Sequence, residues 1–303
     1  AYVESALERG LPIDSFAPRL SFFFGCHNDV FEEVAKFRAA RRMWARIMKE
    51  RYKAQKPESM RLRFHTQTLG STLMRQDPQN NIARGTLQAL AAVLGGTQSL
   101  HVSGFDEAFD IPSQEAMRMS LATQLILSHE SGVTNTVDPM AGSYFMESMT
   151  TNIEEAAWEY ISKIEAFGEG QYPMKSGMLH AIDTGYIELE IARSAYEYQL
   201  KIESGDQVVV GLNQYQSESN QKLELFESDP KEEEWQKGRL AETRGGRSPA
   251  DVKSALSSLK QAAQGDKNLM PTVLEAVGAL ATEGEILDTM RDAYGEYVDP
   301  GVF

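Results

Sequence analysis

Cysteine is nearly absent: the single Cys26 in 303 residues excludes an internal disulfide and any zinc site built on cysteine pairs. No run of 18 apolar residues occurs and no charged-then-apolar amino terminus, so neither a membrane span nor a secretion signal is expected. With one thiol and no export signal, a reducing cytoplasm is the expected location. Positive charge is also in deficit, with 30 basic residues against 44 acidic ones and a net charge of -14. A nucleic-acid partner, which relies on a concentrated basic face, is therefore not expected. An anionic ligand would have to be held locally, by single Arg residues or helix amino termini. Of the five histidines, His27, His101, His129 and His180 lack the spacing of metal ligands and read as structural. No metal site is expected from this chain.

What is present is a globular balance, 42% hydrophobic and 24% charged, in a chain long enough to bury a sizeable core without staples. Short apolar runs alternate with amphipathic ones over the first 150 residues. Strands are predicted at Leu20–Phe24, Met60–Thr68 and Thr97–Val102, with a short β-branched run at Val133–Val137. Helices are predicted after Asp29, which with Glu32 forms an N-terminal signature, over Ile82–Leu94, and over Ser113–His129. This is an α/β pattern with a parallel sheet, about four β/α units where a closed barrel needs about eight. The fold expected is the carboxyl-terminal half of a (β/α)8 barrel, and the chain reads as the second half of a larger protein. Further helices are predicted from Thr151, over Ile187–Ile202, and in three short segments after Val252. Val208–Gly211 reads as a short strand. The polar tract Ser217–Pro249, with its acidic stretch from Glu224, reads as a surface wrap. The organisation expected is barrel half and closing helices over 1–205, then wrap and helical extension over 206–303.

Strands of a parallel sheet covered on both faces should be almost continuously apolar. Three here are not. Arg19 and Ser21 lie two apart, as do His65 and Gln67, and Gln98 with Ser99 takes a comparable place on the third strand. These side chains could converge on one polar floor, where each would need a hydrogen-bonding partner. Structural readings stand beside the functional ones. Arg19 could pair a carboxylate at the rim, His65 could be a hydrogen-bonded core histidine, and Gln67 and Gln98 could bridge strands.

At these residues the chain resembles the large, substrate-binding chain of coenzyme B12-dependent acyl-CoA mutases, above all methylmalonyl-CoA mutase. The matching stretches are Phe16–Phe24, Leu62–Thr68, Gly95–His101, Asp106–Ala108, Glu130–Val133 and Asp138–Tyr144, in order across about 150 residues. The resemblance implies that Arg19, Ser21 and Ser99 bind the coenzyme A part of an acyl-CoA. It implies that His65, Gln67 and Gln98 line the cavity around the acyl group, and that Gly70 and Glu107 contact adenosylcobalamin. Neutral donors of that kind polarise a carbonyl without offering a proton to a radical.

The reaction so implied is a radical carbon-skeleton isomerisation of a branched acyl-CoA, foremost (R)-methylmalonyl-CoA to succinyl-CoA. Isobutyryl-, 2-hydroxyisobutyryl- and ethylmalonyl-CoA are the alternatives. The run His101-Val102-Ser103-Gly104-Phe105 departs from the family's His-Thr-Asn and marks a place where acyl preference could differ. The family's Tyr-His pair belongs to the amino-terminal half, and no Asp-x-His-x-x-Gly motif occurs here to ligate cobalt. The expected partners are therefore an amino-terminal barrel half and a cobalamin-binding domain or subunit that ligates the cobalt, in a hetero-oligomer. A non-catalytic assembly or regulatory subunit is the competing reading.

Overall fold

The computed structural model describes residues 1–217, 225–226 and 229–298; Glu224, at the head of the acidic stretch, lies outside them. The described residues divide into two compact units, one within Ala1–Phe226 and one within Glu227–Gly301.

The first unit is built on three parallel strands, β1 (Phe22–Cys26), β2 (Phe64–Thr68) and β3 (Ser99–His101), in the order β1-β2-β3. The short helices α1 (Tyr2–Glu8) and α2 (Ile13–Phe16) precede the sheet. Helix α3 (Val30–Arg46) connects β1 to β2, α4 (Asn80–Leu94) connects β2 to β3, and α5 (Gln114–His129) follows β3. Then come α6 (Tyr144–Ala166), α7 (Pro173–Asp183) and α8 (Tyr186–Ser204). The starts of α3, α5 and α6 are set by side-chain caps. Asp29 accepts from the Glu32 amide, Ser113 from Ala116 and Ser143 from Met146.

One face of the sheet is covered. Phe22, Phe24 and Cys26 of β1, Phe64 of β2 and Leu100 of β3 pack with Val34, Phe37, Ala91 and Ala92 of α3 and α4. Phe37 stacks on Phe64 at 5.1 Å, and Phe24 meets both rings edge-on. Behind this layer α3 is joined to α6 by charge. Arg38 reaches Asp138, Glu147 and Thr150, while Arg42 and Arg46 share the buried Glu154. Arg51, just past α3, holds Glu165 and the buried Glu4, which also accepts from Tyr52 and the Lys175 amide.

Several expectations change. Val133–Asn135 is a 3-10 turn entered through Gly132 in the left-handed region (φ 73°), so the described residues carry three strands rather than four. Helix α6 starts at Tyr144, not Thr151, because Ser143 supplies the cap. Val208–Gly211 holds one isolated bridge, Val210 to Gln214, in place of a strand. Arg19 closes a 3-10 turn (Ala17–Arg19) before β1 rather than lying in the strand.

The second unit contains α9 (Pro230–Gly246), α10 (Pro249–Ala263), α11 (Met270–Gly278) and α12 (Glu283–Tyr294). Its core is Leu259, Ala276 and Ile286. Helix α9 lies inside the tract expected to wrap, started by an Asp229 cap and Pro230. The start of α12 is a capping box, Thr282 with Glu285. Glu285 also takes a two-pronged bond from Arg247, at 2.5 and 2.7 Å. That guanidinium, followed by the Thr282 amide, draws the Glu285 carboxyl down to about 2. A carboxyl lowered on folding contributes stability that is complete above its ordinary value near 4.3 and is lost as pH falls toward the folded value. We expect this unit to lose on the order of 1 kcal/mol between about pH 4.5 and 2, after solvent screening. Denaturant midpoints across that window measure it, and Arg247→Gln should flatten the slope.

Candidate active-site face

Register puts the site together. Phe23 pairs with His65 and His65 with Ser99, while Gly25 pairs with Gln67 and Gln67 with His101. Side chains alternate along a strand, so Phe23, His65 and Ser99 form one row across the uncovered face, and Gln67 and His101 the next. Ser21, immediately before β1, continues that face at its amino end. His65 Nδ1 is hydrogen-bonded to Ser99 Oγ at 2.5 Å, and the Phe23 ring lies 5.0 Å from the imidazole. Arg19 and Ser21 are exposed, and Gln67 is half-buried.

Gln98 stands apart from this group. Its Oε1 accepts from the Phe64 amide at 2.8 Å and its Nε2 donates to the Gly96 carbonyl at 2.7 Å. Both ends of the amide are taken up by backbone at the amino end of β3, so in this arrangement Gln98 bridges strands and does not face His65 and Gln67. His101, read from the sequence as structural, is exposed beside Gln67 on the open face. It also borders a cleft of ≈ 840 Å³ between β3 and α5, lined by Met117, Arg118, Leu121 and Gln124.

Beyond the carboxyl ends of the strands, Gly70 and Glu107 meet. A Cβ on Gly70 would stand 2.8 Å from Glu107 Oε1, so a side chain there would make the Glu107 carboxylate swing aside. Two buried amides of α4, seven residues apart and missed by sequence reasoning, hold these loops. Gln88 donates to Asn28 after β1 and to Thr72 after β2, and accepts from the Leu69 amide. Asn81 donates to Met74 and to Phe105, tying the loop of Gly70 to the loop of Glu107. Next to Glu107, the buried Asp106 holds the Ser113 amide with Oδ2, while its Oδ1 has no partner. The only sequence signal for Asn81 and Gln88 was a pair of amides on an otherwise apolar helix face.

The departure at His101-Val102-Ser103 falls mainly in the interior. Val102 packs with Ala89 and Leu127, and Ser103 bonds the backbone and hydroxyl of Thr68. The Cys26 thiol is inert: burial and the nearby Glu33 push it well above the ordinary thiol range.

Over residues 1–296 the chain matches the family model described as methylmalonyl-CoA mutase. The chain belongs to the methylmalonyl-CoA mutase family. It is 43% identical, over its whole length, to the 2-hydroxyisobutanoyl-CoA mutase large subunit of Aquincola tertiaricarbonis, of which it covers 53%. It is 44% identical to the methylmalonyl-CoA mutase of Rhizobium meliloti and 39% to the mitochondrial enzyme of Homo sapiens. In each, 98% of the chain aligns, to 41% and 39% of the relative. The chain thus spans about half the length, or less, of these family members. Among its described residues, no helix is long and apolar enough to cross a membrane.

Proposed function

We propose that the chain is the carboxyl-terminal half of the substrate barrel of an adenosylcobalamin-dependent acyl-CoA mutase, acting foremost on (R)-methylmalonyl-CoA. One observation carries the reading: His65 and Gln67, matched to the acyl group, share the uncovered sheet face with Ser99, matched to coenzyme A. Arg19 and Ser21 stand at the amino end of β1, His65, Ser99 and Gln67 across the sheet, and Gly70 and Glu107 beyond its carboxyl ends. From the level of Ser21 to that of Gln67 is four residues of strand, about 13 Å. Such a track suits a thioester on a long arm whose anionic end is held at the Arg19 end.

In this reading Arg19 gives a forked donor to phosphate and Ser21 a hydroxyl beside it. Nδ1 of His65 is engaged by Ser99, which leaves Nε2 to face the thioester carbonyl, and the Gln67 amide donates from the next row. Gly70 brings bare backbone beside the Glu107 carboxylate, which would offer the cofactor an acceptor. Adenosylcobalamin bound there would supply the homolytic chemistry that starts a carbon-skeleton rearrangement, with its cobalt ligated from a partner. The chain's own part is to bind, orient and, once the barrel is closed, exclude water.

The test is reconstitution of the chain with an amino-terminal barrel half, a cobalamin-binding chain and adenosylcobalamin. We expect methylmalonyl-CoA to be converted to succinyl-CoA. The Aquincola relative makes 2-hydroxyisobutyryl-CoA the second substrate to try. An assembly subunit gains nothing from His65, Ser99 and Gln67 sharing one open face. Absence of turnover on any short branched acyl-CoA would nevertheless favour that role.

A further inference from the structure

On the open face, among Ser21, Phe23, Gly25, His65, Gln67, Ser99 and His101, Phe23 alone is large and apolar. The residue is 64% exposed, although the opposite face of the same strand packs Phe22 and Phe24 against the core. Packing within this chain therefore gives Phe23 little reason to be aromatic, since an exposed ring adds little stability to it. Its neighbour across the strands is His65, 5.0 Å away, the residue placed to hold the thioester carbonyl. In the next row Gly25 contributes no side chain, and Leu69 folds into the space: a Cβ on Gly25 would meet Leu69 Cδ2 at 2.5 Å. The polar file of His65 and Gln67 is thus flanked on its β1 side by two hydrocarbon groups, Phe23 and Leu69. On its β3 side it is flanked by a hydroxyl and an imidazole, Ser99 and His101.

We infer that Phe23, continued by Leu69 over Gly25, is the wall against which the alkyl branch of the acyl group packs, so that Phe23 sets the size of acyl-CoA accepted. The inference rests on the mutase reading above and adds a specificity-determining residue to it. With the carbonyl held at His65, the branch carbon lies toward one flank or the other, and among the described residues beside His65 and Gln67 only the β1 flank offers apolar surface. Shortening Phe23 opens room for an additional methylene, and an apolar pocket discriminates one methylene by about 10–200-fold.

The experiment compares the assembled enzyme with its Phe23→Ala and Phe23→Leu variants on methylmalonyl-CoA and ethylmalonyl-CoA in competition. The readout is the ratio of the two kcat/KM values, which loss of folded enzyme does not move. We expect the ethyl-to-methyl ratio to rise by about tenfold or more in Phe23→Ala and by less in Phe23→Leu. Because the ring packs little within this chain, both variants of the chain should fold; should Phe23→Ala fail to assemble, Phe23→Leu alone decides the sign. A ratio within about twofold of the parent in every assembled variant overturns the inference and leaves the mutase reading intact. A parent enzyme inactive on both substrates and on isobutyryl- and 2-hydroxyisobutyryl-CoA overturns the mutase reading, and this inference with it.

Discussion

In the proposed mutase, replacing His65 by alanine should lower kcat/KM on the acyl-CoA by about 10²–10³-fold while leaving the protein folded. The size is that of losing one preorganised donor aimed at developing charge on a carbonyl oxygen. The sparing of the fold follows from position: His65 lies on the uncovered face, and its contacts are the exposed Ser99 hydroxyl and the exposed ring of Phe23. Ser99→Ala should cost less, because it frees the imidazole to rotate without removing it. Gln98→Ala should behave in the opposite way. Its amide bonds the Phe64 backbone and the Gly96 carbonyl, so its loss should lower stability by about 1–2 kcal/mol and affect turnover only through folding. Steady-state kinetics with denaturant melts of the three variants separates the two classes. A His65→Ala enzyme within about fivefold of the parent would make His65 a structural residue.

That contrast shows what the sequence can and cannot reveal. The polar positions 65 and 67 were legible as one face because strand alternation is a period of two, whatever the sheet's surroundings. The parallel class was legible from apolar runs separated by capped helices. Gln98 was not. It sits one residue before β3, and whether an amide there turns to a ligand or to the neighbouring backbone depends on the exit angle of Gly95-Gly96. Arg41 helps set that exit by bonding the Gly95 carbonyl. Val133–Val137 has strand-like composition, but Gly132 turns the chain into a 3-10 segment instead. The Thr151 signature was real chemistry at the wrong place, since that threonine faces Arg42 from mid-helix while Ser143 does the capping. The loops that bring Gly70 and Glu107 together are held by Asn81 and Gln88, two buried amides whose partners lie in the loops after all three strands.

Produced alone, the 303-residue chain should self-associate, and co-production with the amino-terminal barrel half should convert it to a defined, soluble complex. The sheet order β1-β2-β3 leaves the outer edges of β1 and β3 without partners among the described residues, and parallel strands with open edges pair with whatever is available. The uncovered face adds Phe23, and the outer face of α5 adds Met117, Leu121 and Leu125, each about half exposed or more and spaced four residues apart. The cleft of ≈ 840 Å³ beside β3 lies between this edge and that helix, where an adjoining strand and its helix would close the ring. In the proposed mutase the same closure would convert the open face of Ser21, His65 and Gln67 into the wall of a channel and remove water from around the thioester. Solubility and catalysis should therefore be gained together. Light scattering of the chain with and without the other half measures the first, and turnover the second. A monodisperse, cooperatively unfolding monomer of the chain alone would show that these edges need no neighbour, and the half-barrel assignment would fall with it.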